Sequence, residues 1–118
     1  FLILYHLLEQ CYDIDPGDKS SEELILSDFL SDIDPTLWAD GRPMDQAIFY
    51  DWVEQTDIPH LSEKNIISAV LNFVSFYEKR GFYFGRVREI LQGTSSDTMI
   101  KNAIKFARSM YEKYSYSD

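Results

Sequence analysis

Cysteine is almost missing from this chain of 118 residues, where Cys11 stands alone. A single thiol cannot close an intramolecular disulfide, so nothing in the cysteine usage points to secretion, and a reducing cytoplasm is the expected setting. Histidine is nearly as scarce, with only His6 and His60. One cysteine and two histidines cannot supply the usual four-ligand set of structural zinc. No two Glu-x-x-His motifs are present for a dinuclear iron site in a helical bundle. Long apolar runs are missing too, which excludes a membrane-spanning helix. The apolar opening Phe1 to Leu8 is broken by His6 and has neither a basic n-region nor a small-residue cleavage site. It reads as the inner face of a first helix rather than as a signal peptide. No Gly-x-Ser-x-Gly elbow and no Walker-type phosphate loop occurs.

Positive charge is scarce in the first half. Residues 1–60 hold two basic and fourteen acidic side chains, whereas 61–118 hold nine and six, within a formal net charge of −9. That field repels phosphate backbones and anionic lipid. Nucleic acid and membrane are therefore not expected as partners, and a basic protein is. The 45% hydrophobic and 15% aromatic content is too rich for a disordered chain. The length is that of one domain able to bury its own core.

The apolar spacing is helical nearly throughout. Leu4, Leu7, Leu8, Cys11 and Tyr12 share one stripe of a first helix, stopped by the turn signal from Asp13 to Asp18. Ser20 with Glu23 matches a capping box for a second helix, with Ile25, Leu26, Phe29, Leu30 and Ile33 inward and Asp28 and Asp32 outward. Residues 35–43, with two prolines and Gly41, read as a loop, and a third helix runs from about Asp45 to Thr56. Ser62 caps a fourth helix ending near Gly81, whose apolar content marks it as the central one. Phe82 to Leu91 could open with a strand, but Val87, Ile90 and Leu91 favour a short helix. Thr94 with Asp97 caps the last helix, with Ile100, Ala103, Ile104, Ala107, Met110, Tyr111 and Tyr114 inward and Lys101, Lys105, Arg108 and Glu112 outward. These spacings predict an all-α protein, a compact single-domain bundle of five to six helices over residues 1–118. An offset of 65 aligns Leu8 with Phe73, Tyr12 with Tyr77, Ile25 with Ile90 and Leu26 with Leu91, as a faint internal repeat would.

Groups that could carry chemistry weigh in as structural. The run from Asp13 begins like a calcium loop, yet Asp18 and Leu24 occupy the positions that need glycine and glutamate. Asp28, Asp32 and Asp34 lie close enough for a divalent ion, but a solvated acidic face is the expected role. Cys11 sits on an apolar stripe turned away from His6. No cofactor, no metal site and no catalytic residue is expected. Lys79, Arg80, Arg86 and Arg88 around Phe82, Tyr83 and Phe84 have the composition of a single-strand binding corner. Neutralisation of the acidic half is the reading favoured for them.

The stretch from Asp32 to Trp52 interleaves carboxylates with large rings. Trp and Tyr are enriched where binding energy concentrates, and carboxylates around them steer a basic partner. The expected partner-binding residues are Asp28, Asp32, Asp34, Trp38, Asp40, Asp45, Tyr50 and Asp51. Trp52, on the stripe with Ile48 and Phe49, reads as a core anchor. The order Asp40-Gly41, Pro43-Met44-Asp45 and Tyr50-Asp51-Trp52 resembles small uncharacterised bacterial helical proteins over about residues 1–56, with Pro43 before Asp45 where their pattern has Asp before Pro. In charge and size the chain is also similar to acidic helical immunity proteins and antitoxins that cap basic nuclease toxins. That class resemblance implies a non-catalytic cytoplasmic protein occluding a basic partner, possible toxins included. A self-associating homodimer is the alternative, and a divalent-dependent enzyme ranks below it.

Overall fold

The computed structural model describes residues 1–15, 24–36 and 46–114, and for Leu24 and Ile25 the backbone alone. The capping box at Ser20 and most of the 35–43 loop lie outside that range. Six α-helices are present among the described residues: α1 (Leu2–Ile14), α2 (Leu26–Ile33), α3 (Gln46–Gln55), α4 (Ile66–Glu78), α5 (Val87–Leu91) and α6 (Ser96–Lys113). A 3₁₀ turn (Ile58–His60) separates α3 from α4. The fold is all-α, as the spacing predicts.

One short β pairing departs from a purely helical reading. Leu24–Ile25 (β1) lies parallel to Phe82–Tyr83 (β2), with Leu24 opposite Phe82 and Ile25 opposite Tyr83. The second helix thus begins at Leu26, and both alternatives weighed for Phe82 to Leu91 are realised in succession. Gly81 makes the sharp exit from α4 into β2 possible, since its φ of +100° is one that a side chain strains.

The order helix, strand, helix, helix occurs twice among these elements, α1–β1–α2–α3 and then α4–β2–α5–α6. The constant offset of 65 does not survive. It places α1 within a residue of α4, but Ile25 lies in a strand while its counterpart Ile90 lies in a helix. The connection before β1 is longer than the one before β2, so no single shift can align both.

The central element is α1, not α4. It packs on α6, α2 and α5, with Leu4, Leu7, Leu8 and Cys11 fully buried. The apolar content of α4 goes instead to an aromatic cluster. Phe29 of α2 meets Phe73 and Tyr77 of α4, Phe82 of β2 and Phe84 edge-on, at centroid distances of 5.2–6.4 Å. Trp52 adds an edge contact to Phe73 at 5.4 Å, which makes it the core anchor its stripe suggested.

Start signals are realised unevenly. Ser62 opens the turn into α4, its Oγ accepting from the Lys64 N–H at 3.3 Å while its own N–H donates to Asn65 Oδ1 at 2.7 Å. These bonds close the turn ahead of the helix, whose N-cap is Asn65 rather than Ser62 and carries no side-chain cap bond. At α6 the cap is Ser95 rather than Thr94, and no side chain closes it. Met99 takes an inward place on α6, whereas Tyr111 is 66% exposed rather than inward.

The α1–α6 seam carries a polar network. His6 stacks on Phe106 at 4.6 Å. The Gln10 amide donates to the Met99 carbonyl at 2.9 Å and reaches His6 Nδ1 at 3.0 Å, and Asn102 donates to Gln10 at 3.3 Å. Burial holds His6 below its ordinary pKa, against the smaller opposing pull of Glu9 and Asp13. A histidine depressed by folding is bound more readily by protons in the unfolded chain, so its contribution is full above the unfolded value of about 6.5 and is lost as pH falls toward the folded one. Stability is therefore expected to fall as pH drops below about 6.5. His6→Phe, which keeps the stack, is expected to flatten that part of a urea-midpoint profile.

Candidate interaction surface

Residues of the expected surface take different places. Trp38, Asp40 and Asp45 lie outside the described residues. Asp28 and Asp32 stand one turn apart on α2, the first exposed and the second half-buried. Asp34 follows the helix end, where its carboxylate accepts the Thr36 N–H at 2.8 Å and the Thr36 hydroxyl at 2.6 Å. That turn seats Pro35 in the interior.

Asp51 faces inward from α3. It accepts the hydroxyl of Tyr77 and lies 3.5 Å from Arg80. Arg80 in turn stacks over Phe76, 4.2 Å from the ring centroid. Asp51 therefore ties α3 to α4. Its neighbour Tyr50 points the other way and is 64% exposed.

Helical geometry explains this division. Ile48 and Trp52, four apart, bury one face of α3, so Tyr50, Val53 and Glu54 must occupy the opposite face. Val53 is 45% exposed, and Glu54 is exposed beside it. Sequence reasoning missed Val53 and Glu54, although continuing the Ile48–Trp52 phase would have found them. Tyr50, Val53 and Glu54 bring an aromatic ring, a branched apolar group and a carboxylate onto one outward patch.

The arginines of the cluster of cations and rings form internal pairs, while Lys79 is exposed and makes no ion pair among the described residues. Arg86 holds Glu89 through two nitrogens at 3.0 Å and lies 3.5 Å from Asp15. The hydrogen bonds that Arg86 donates to Glu89 raise the Arg86 pKa further and lower that of Glu89. Arg88 donates to Ser75 at 2.7 Å and to Glu78 at 3.1 Å. Phe84 is buried and Tyr83 exposed. The charge of the three arginines is thus offset by carboxylates of the same molecule. Two of its pairs, Arg80–Asp51 and Arg86–Asp15, cross from the basic half to the acidic one.

Two groups with intrinsic reactivity are withdrawn from solvent. Cys11 is fully buried, and burial pushes its thiol up to about 12. The Tyr5 hydroxyl donates to Glu9, and burial above all, then the Glu9 and Asp34 carboxylates, raise its pKa strongly. Among the described residues no three His, Cys, Asp or Glu side chains are placed to hold a metal ion, and no helix is long and apolar enough to cross a membrane. The chain matches no family model, no curated protein and no solved structure, so the meaning of its surface has to come from the geometry of its own residues.

Proposed function

We propose that this protein is a non-catalytic interaction module whose acidic, aromatic face engages a basic protein. The outward patch of α3 carries the reading: Tyr50 and Val53 stay exposed on an otherwise amphipathic helix, in the half of the chain that holds fourteen of the twenty carboxylates. Exposed rings supply a centre that can be desolvated, and surrounding carboxylates set the approach and the orientation of a cationic partner. Asp28, exposed on α2, adds to the acidic surface of the same half of the chain. The role of an immunity protein or antitoxin that occludes a basic toxin in a bacterial cytoplasm fits this chemistry.

The test is capture of a basic protein on the immobilised chain, washed in parallel at about 50 mM and about 500 mM salt, because screening removes contacts between exposed charges. Retention at low salt and release at high salt are expected. Tyr50→Ala with Val53→Ser is expected to cut retention by at least about tenfold, the scale of a hot-spot loss. Retention indifferent to both changes would show that the α3 patch is not the contact.

Self-association is the second reading, favoured by α6. Lys101, Lys105 and Arg108 lie along one exposed stripe and make no ion pair among the described residues. The acidic half of another copy is the complementary surface for them. Sedimentation as a monomer at every ionic strength would remove this reading.

A further inference from the structure

Helix α6 turns Ala103 and Met110 into the core, so Lys101, Lys105 and Arg108 lie on the side directly away from it, all exposed. None of the three is held by a carboxylate of its own molecule among the described residues, in contrast to Arg80, Arg86 and Arg88, each of which is. Three cations at i, i+4 and i+7 thus form a stripe about 10 Å long on a chain of net charge −9.

The same molecule carries an exposed face of opposite sign. Tyr50, Val53 and Glu54 point outward from α3, and Asp57, whose side chain is 70% exposed, follows two residues past the helix end. Asp57 is paired with His60 at 2.8 Å, but a contact between two exposed side chains holds them only weakly. A lysine or arginine laid over the Tyr50 ring gains a cation–π contact in addition to its carboxylate. Among the described residues no ion pair joins this face to the α6 stripe within one molecule.

We infer that α6 of one copy docks on the outward face of α3 of a second copy, its cations against Glu54, Asp57 and the Tyr50 ring, so that the chain competes with a basic protein for its own acidic face. The inference rests on the reading of that face as an interaction surface and adds its regulation. Charge complementarity selects the occupant, because α6 supplies the spaced cations that the α3 face is suited to take. At about 0.15 M salt the Debye length is about 8 Å, so the like net charges of two copies are screened over most of their surfaces while charges in contact are not. Two short helix faces make a contact at the low end of interface sizes, and the association is therefore weak and reversible. It covers Tyr50 and Val53 until a partner with more cations or a larger surface displaces it.

Zero-length carbodiimide coupling joins a carboxylate to an amine only where the two touch. Unlabelled and nitrogen-15-labelled protein, mixed in equal amounts and coupled at about 0.15 M salt, are expected to give mixed-label products that link Glu54 or Asp57 to Lys101 or Lys105. Arg108→Glu, which leaves every one of these coupling groups in place, is expected to cut their yield at least about threefold. Mixing that variant with Glu54→Arg copies is expected to restore the link from Asp57 to the α6 lysines. Polyarginine, which carries the charge without a side-chain amine, is expected to suppress the products as it takes the acidic face. Products spread evenly over exposed carboxylates such as Glu63, Asp97 and Glu112, a yield unmoved by Arg108→Glu, no rescue by the reversed pair, or products that persist in saturating polyarginine would overturn the inference. Capture of a basic protein by the Arg108→Glu chain reads the earlier proposal separately. Full capture beside a negative coupling result sinks this inference alone, and lost capture beside a positive coupling result sinks the earlier proposal alone.

Discussion

Phe29→Ala is expected to lower the free energy of unfolding by about 3–5 kcal/mol, the range for removing a fully buried aromatic side chain. Phe29 is completely enclosed, and its ring is the point where α2, α4, β2 and the approach to α5 meet. Removing it leaves a cavity among rings that cannot collapse without moving four elements. The transfer and cavity costs therefore add. Urea denaturation measures the loss, with Tyr83→Ala as the control. Tyr83 belongs to the same aromatic run but is 55% exposed, so its truncation is expected to stay within about 0.5 kcal/mol. Similar costs for both would mean that the run does not turn one ring in and the next one out.

Asp51→Ala is expected to cost about 1.5–3 kcal/mol, the value of a hydrogen bond to a charged group. The carboxylate accepts from Tyr77 and faces Arg80 in a half-buried position between α3 and α4. Most of the loss is assigned to Tyr77, because Arg80 is more than half exposed and solvent screens its share. A double-mutant cycle with Tyr77→Phe separates the two, and the double variant is expected to lose clearly less than the sum of the singles. Strict additivity would show that the two groups do not interact. The result also bears on function. A binding defect in an Asp51 variant would report a loosened α3, whereas the adjacent Tyr50 can be changed with little effect on the core.

Much of this was legible because period carries direction. Stripes such as Leu4, Leu7, Leu8 and Cys11 name their buried face without any knowledge of what covers it, and Trp52 follows from Ile48 in the same way. The same reasoning places Tyr50 outward. It does not reveal that Asp51, one position on, is occupied by Tyr77 from 26 residues away. Nor does it show that the arginines of 80–88 are held by carboxylates, since opposite charges in a sequence have no address for each other.

The sequence by itself therefore determined the helical class, the approximate limits of most helices and the inward side of each, because these depend on spacing within a few residues. It also settled the separation of charge between the halves and the scarcity of cysteine and histidine. The tertiary structure decided which helix stands at the centre, where two residues of β1 find β2, and which carboxylates are spent inside the molecule. It alone buried the Trp52 indole N–H and the Thr56 hydroxyl without a partner among the described residues. Those outcomes depend on contacts between residues far apart in the chain, where packing and hydrogen-bond geometry, rather than local preference, choose among partners of equal chemistry.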